Sequence, residues 1–176
     1  MPVCVANSVI VNTPNNEGYS DHGLNFKTTQ TFLNFVIQSC RSAHLKLSQT
    51  SFTSPLYEVI IGHNSNTKSQ IIRYTMNESG INVGTVVAEE MSQGILDCSQ
   101  QRPFWMSWQG GKIEVAMESS SGQRFLDWMD SAPQQVSALN LATGPESRGE
   151  WKYSAKEGNC ILLLTVLDDK PKLKPV

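Results

Sequence analysis

The sequence predicts an all-β fold, a single antiparallel β-sandwich of jelly-roll-like type spanning residues 1–176, and three observations carry that expectation. Apolar residues recur with period two or in short strand-length runs, the pattern of chains that alternate between two faces of a sheet. No window longer than about a dozen residues keeps the i, i+3, i+4, i+7 spacing of an amphipathic helix free of Gly, Pro or β-branched interruption. Turn residues punctuate the chain at the even spacing of a sandwich or barrel, and the long amphipathic crossovers of a doubly wound fold are missing.

Taken in order, residues 3–12 (VCVANSVIVN) read as the first strand, followed by the turn-rich NTPNNEGYSDHG. Residues 26–39 come next, with Phe32, Asn34, Val36 and Gln38 alternating along one face. Strands are expected at 43–47, 57–62 and 70–75, the last two joined by the polar loop from His63 to Ser69. Residues 81–88 and 104–108 follow, and the Gln109-Gly110-Gly111 turn leads into 112–117. Residues 124–128, 135–141, 150–154 and the apolar run 160–166 complete about eleven strands, as a sandwich requires. Trp105 and Trp108 differ by an odd number, so they should point to opposite faces and one of them should lie outside the core.

Composition narrows the function. Fourteen basic against sixteen acidic residues give a net charge of −2 without a basic stripe, which argues against nucleic acid as a partner. No stretch approaches the ~20 apolar residues of a membrane-spanning helix, so no membrane insertion is expected. Only 17% of residues are charged, with Ser, Thr, Asn and Gln in their place, a surface common in extracellular β domains. An extracellular or secreted location is therefore the expectation, with a cytoplasmic one as the alternative because no secretory signal is visible at Met1-Pro2-Val3-Cys4. Cys4, Cys40, Cys98 and Cys160 lack the close spacing of zinc or thioredoxin-type sites. Buried free thiols, two disulfides or an intersubunit bridge through Cys4 all fit.

No Ser or Cys sits in a nucleophile elbow, and His22, His44 and His63 are scattered, so no catalytic residue is assigned and an enzyme is not expected. His44 reads as structural, and His63 as a surface histidine. If successive strands are antiparallel, the connections at 62–69, 89–102, 118–123 and 143–149 share one end of the sandwich. That end gathers Asn64, Asn66, Glu89, Glu90, Asp97, Glu118, Glu146 and Arg148. His63, Asn64, Asn66, Lys68, Glu146 and Arg148 are taken as ligand-binding candidates, and Glu89, Asp97 and Glu118 as ligands of a Ca2+ ion, which takes six to eight oxygens. Acidic loops are most often just solvated surface, and no EF-hand spacing marks a metal site here. The fallback location is the other end, with residues 77–82, 109–111 and 130–133; there Asn77-Glu78-Ser79 forms a glycosylation acceptor triplet.

The motifs AHLKLS, YEVIIG with N-TKS, FWMSWQGGKIEVA, RFLDWMD and TGPESRGEW, arriving in that order over residues 24–153, resemble the farnesoic acid O-methyltransferase domain family of invertebrates. The chain departs from the family pattern in loops: Gly62-His63-Asn64 stands where the family has Gly-Gly-Trp, and Pro145 where an aromatic residue often follows Thr-Gly. The resemblance implies a β-sandwich recognition module, lectin-like and similar to those of adhesive and defence proteins. The methyl transfer in the family name finds little support, since a methyl donor of nucleotide type needs a glycine-rich turn between a strand and a helix. Gly80 to Gly84 is the nearest approach, without the helix.

The functional expectation is a carbohydrate-binding lectin, galactose-directed and calcium-assisted, acting through loops at one end on glycans with terminal sugars, as a dimer or higher homo-oligomer. A structural or adhesion module contacting proteins through its sheet faces is the alternative, and an isoprenoid-acid methyltransferase the disfavoured third.

Overall fold

The structure is a computed structural model, and it describes residues 8–13, 24–27, 30–49, 55–145 and 147–154. Twelve strands form two six-stranded antiparallel sheets. In chain order they are β1 (Ser8–Thr13), β2 (Leu24–Lys27), β3 (Phe32–Ser39), β4 (Ala43–Ser48), β5 (Tyr57–Gly62), β6 (Lys68–Met76), β7 (Asn82–Met91), β8 (Arg102–Ser107), β9 (Lys112–Met117), β10 (Arg124–Met129), β11 (Ala138–Thr143) and β12 (Gly149–Ser154). One sheet runs β1-β12-β3-β8-β9-β10 and the other β2-β11-β4-β5-β6-β7. The all-β sandwich expected from the alternation is thus the architecture observed.

The period of two does the folding work. Along β3 burial alternates strictly: Leu33, Phe35, Ile37 and Ser39 point inward, and Phe32, Asn34, Val36 and Gln38 form the half-buried outer row. Opposite them Leu45, Leu47, Val59, Ile61, Ile71, Leu139 and Leu141 close the core from the second sheet, with Trp151 and Phe104 among its largest fully buried side chains. Each such aliphatic side chain contributes about 1.5–3 kcal/mol by leaving water. Trp108 belongs to this core, whereas Trp105 is only half-buried and pairs across the sheet with Asn34 and Ala116, as the odd spacing requires.

Two boundaries differ from expectation. Residues 26–39 are not one strand: β2 ends at Lys27 in one sheet and β3 starts at Phe32 in the other. The expected strand at 135–141 begins only at Ala138. The run at 160–166, together with Cys4 and Cys160, lies outside the described residues.

Every connection from β3 onward reverses the chain, including those that change sheet. The links at 39–43, 62–68, 91–102, 117–124 and 143–149 therefore all lie at one end, here called the loop end. The links near 77–81, 108–111 and 130–137 lie at the other.

Candidate functional site

The loop end is braced before it offers anything to a ligand. A disulfide joins Cys40 to Cys98, tying the end of β3 to the long link between β7 and β8. Backbone bonds run from Ser39 N to Asp97 O, Ser42 N to Gly62 O, and Gly144 N to Ser42 O, so four links share one hydrogen-bonded frame. The Ser39 and Ser147 hydroxyls, 2.7 Å apart, tie the 143–149 link in a second time.

The turn after β5 is unusual. Asn64, Ser65 and Asn66 take φ of 50°, 58° and 63°, a left-handed run that costs L-residues roughly 1–2 kcal/mol each. Tertiary contacts hold it. The Asn66 amide donates to Leu96 O at 2.8 Å and accepts from Leu96 N at 3.1 Å, and Thr67 Oγ1 donates to Asn64 O at 2.7 Å. Gly62 precedes the run at φ 67°, and a Cβ there would stand 2.7 Å from Asn66 Oδ1 and 2.8 Å from a Leu96 methyl, so only glycine fits.

The sequence-derived candidates fall into this frame as follows. Asn66 is a brace, both ends of its amide being used by Leu96. Asn64 is exposed on the left-handed turn, and His63 beside it is half-buried. Burial, then the nearby charge of Lys68, holds the His63 pKa below its ordinary value, so its imidazole is neutral at pH 7. Lys68 Nζ reaches Glu89 Oε2 at 2.8 Å. Asp97 Oδ1 accepts from Ser99 N, Ser99 Oγ and Gln100 N, and Oδ2 lies 3.3 Å from Arg102 Nη2; these bonds, led by Ser99 N–H, lower its pKa. Glu118 is exposed at φ 66° and its N–H donates to Pro103 O. Arg148 is exposed, and Glu146 lies outside the described residues. Among the described residues no three His, Cys, Asp or Glu side chains are grouped so as to hold a metal ion.

The structure does bring Glu89 to a feature that strand order alone creates. At the open edge of the sandwich, between β7 of one sheet and β10 of the other, a cleft of about 250 Å³ is lined by Ala88, Glu89, Glu90, Arg124, Phe125, Leu126 and Asp127. Arg124 and Asp127 are held by ion pairs along the outer side of their sheet: Arg124 Nε to Glu114 Oε1 at 2.9 Å, and Asp127 Oδ2 to Lys112 Nζ at 3.0 Å. A bulge between Arg124 and Leu126 re-aims Phe125, which packs edge-on against Phe104 at the floor. Carboxylate acceptors, guanidinium donors and an aromatic ring thus converge in one opening at the loop end.

A family model described as farnesoic acid O-methyl transferase matches residues 12–157. The chain belongs to that family. One relative, uncharacterized protein 5 of Haliotis asinina, is 30% identical over 95 residues, 53% of this chain and 50% of that protein, so the chain spans about half the length of the relative it matches. Solved structures with a related outline include a galectin of toad ovary in complex with thio-digalactose (TM-score 0.47, 13% identity, 83% of this chain and 99% of that one). Another is the carbohydrate binding module CBM66 of Bacillus subtilis (TM-score 0.46, 11% identity, 84% and 80% covered), and a third a native glycosidic hydrolase (TM-score 0.49, 12% identity, 89% and 81% covered).

The methyl donor implied by the family name does not fit the residues that come nearest to it. Gly80 to Gly84 belongs to the turn from β6 into β7, held by Asn77 Oδ1 accepting from Ser79 N and Ile81 N, and a strand follows where a nucleotide cradle needs a helix N-terminus.

Proposed function

We propose that this family member is a carbohydrate-binding protein of lectin type, and that the cleft between β7 and β10, with the loop end around it, receives the sugar. The observation that supports it is the mixture of groups in that opening. A hexose is neutral and heavily hydrated, so binding requires directed partners for several hydroxyls together with some apolar contact. Glu89, Glu90 and Asp127 accept from hydroxyls, Arg124 donates, and Phe125 offers the apolar surface. At about 250 Å³ the cleft falls below the ~300 Å³ of drug-sized pockets and suits a terminal sugar ring.

His63, Asn64, Lys68 and Arg148 extend this reading to the rim as secondary contacts. A galactose preference and assistance by calcium are its finer form, although Glu89, Asp97 and Glu118 are not grouped so as to hold such an ion by themselves. The Cys40–Cys98 disulfide favours an oxidising, extracellular setting, and binding without catalysis is the corresponding view of activity.

The test is a thermal-shift screen of monosaccharides with and without calcium, followed by calorimetry and a glycan array. A specific sugar should raise the melting temperature by mass action. Arg124→Ala and Glu90→Gln should abolish that rise while leaving the unliganded melt in place. An empty array with calcium present would remove the proposal. Binding of S-adenosylmethionine by calorimetry would instead favour the methyltransferase reading.

A further inference from the structure

The tip of the β6–β7 hairpin, beyond Tyr74, stands out from the sandwich. Thr75 and Met76 end β6 exposed, and on β7 Val83, Gly84, Thr85 and Val86 are all exposed, so both faces of this stretch of β7 meet water. Yet the side chains of this ribbon are apolar: Met76, Ile81, Val83 and Val86 are between 43% and 70% exposed. Scattered exposed apolar residues are ordinary, but four on one projecting ribbon are not.

Three further features bear on what covers it. Among the described residues β7 is the edge of its sheet, so its outer row of backbone N–H and C=O groups has no neighbouring strand. Such edges are normally guarded by Lys, Pro or an inward charge, and residues 81–88 (INVGTVVA) contain none of these. The one bulge, where Ala88 and Val86 face consecutive residues Ile71 and Ile72, separates this ribbon from the cleft-lining residues 88–90.

We infer that this ribbon is a self-association surface, and that its partner is a second copy of this chain pairing β7 edge to edge in antiparallel fashion. Charge selects the arrangement. A parallel pairing would stack Glu89 and Glu90 on their own counterparts, whereas a two-fold antiparallel pairing about Gly84 puts only the uncharged residues 82–86 of each copy in the ladder and leaves Glu89 and Glu90 beyond it. Of the four apolar side chains only those of Ile81, Val83 and Val86 lie on or beside the paired edge, so the apolar contact falls below the ~1,200 Å² of standard interfaces, the size of a weak and concentration-dependent dimer. The two loop ends then face in opposite directions, and if the carbohydrate reading holds the dimer bridges two glycan surfaces.

Sedimentation velocity on the full chain, made in bacteria so that Asn77 carries no glycan, tests this from low to high micromolar concentration. The expected result is a reversible shift from monomer to dimer, with Val83→Lys plus Val86→Lys raising the dissociation constant at least about tenfold. Far-UV circular dichroism and the melting temperature should be unchanged, because both positions are exposed. Should that pair misfold, Val83→Ser plus Val86→Ser carries the same test. A monomer at every concentration, or a dimer that folded variants leave intact, overturns the inference. Sugar binding by the monomeric variants is measured separately, so failure of either reading is distinguishable from failure of the other.

Discussion

The two ends of the sandwich are closed in different ways. At the loop end polar groups are spent on loops: a disulfide, backbone bonds between four connections, and the Asn66 amide gripping Leu96. At the opposite end one buried charge cluster suffices. Tyr57 OH and Arg73 Nε both donate to Asp130 Oδ2, at 2.7 and 2.8 Å, and Gln134 N donates to the Tyr57 oxygen. Burial alone would raise the Asp130 pKa, but the Arg73 and Tyr57 bonds outweigh it and bring it below the ordinary value. The first design fixes many loop atoms around an opening; the second seals a corner and leaves the β6–β7 ribbon projecting. On the two proposals made above, binding falls to the rigid frame at one end and assembly to the open strand edge at the other.

That contrast can be broken piece by piece. The largest effect is expected from Cys40→Ala with Cys98→Ala: opening a 58-residue covalent loop costs about 4 kcal/mol in the chain-entropy account, roughly 10 °C in melting temperature. Ligand binding at the loop end should fall with it. Asp130→Ala should cost about 3 kcal/mol, because it strands the Arg73 charge and the buried Tyr57 hydroxyl, and denaturant titration reads that directly. The pH dependence sharpens the same point. With folded pKa values depressed at Asp130 and Glu58, their stabilisation is complete above the unfolded carboxyl range near ~4 and is lost as pH falls through the lower folded values. Melting temperature should therefore drop below about pH 4, and Asp130→Asn should flatten that drop.

Smaller effects probe the loop end. Asn66→Ala removes two bonds to Leu96 and one of the side chains that tolerate the left-handed conformation, at about 2 kcal/mol. Lys68→Ala should change stability by less than about 0.5 kcal/mol, its pair with Glu89 being open to solvent, so any loss of sugar binding in that variant reports contact with the ligand.

Much of the fold was legible because alternation in segments such as β3 leaves little choice of which face goes inward. The break between β2 and β3 was hidden by Thr28, Thr29 and Thr31, whose β-propensity disguises a crossover between sheets. The gathering of loops at one end could be read from parity, since each connection reverses direction whichever sheet it enters. The cleft could not: Glu90 and Arg124 are brought together only because β7 and β10 are each the last strand of a sheet, a fact of strand order. His44 was read as structural, and it sits buried with Nδ1 2.7 Å from Glu58 Oε1. Its partner carried no such signal, because a Glu at the second position of YEVIIG looks like an ordinary outward residue. Burial would raise the Glu58 pKa, and the bonds from His44 and Tyr74 reverse that.

The bond between Cys40 and Cys98 has a topological side. All of β4, β5, β6 and β7, four of the six strands of one sheet, lie between its two sulfurs, so they form a closed covalent circle threaded into the rest of the molecule only at its clasp. A single proteolytic nick anywhere on that circle leaves the chain in one piece, and the fragments part only when thiol reductant opens the clasp.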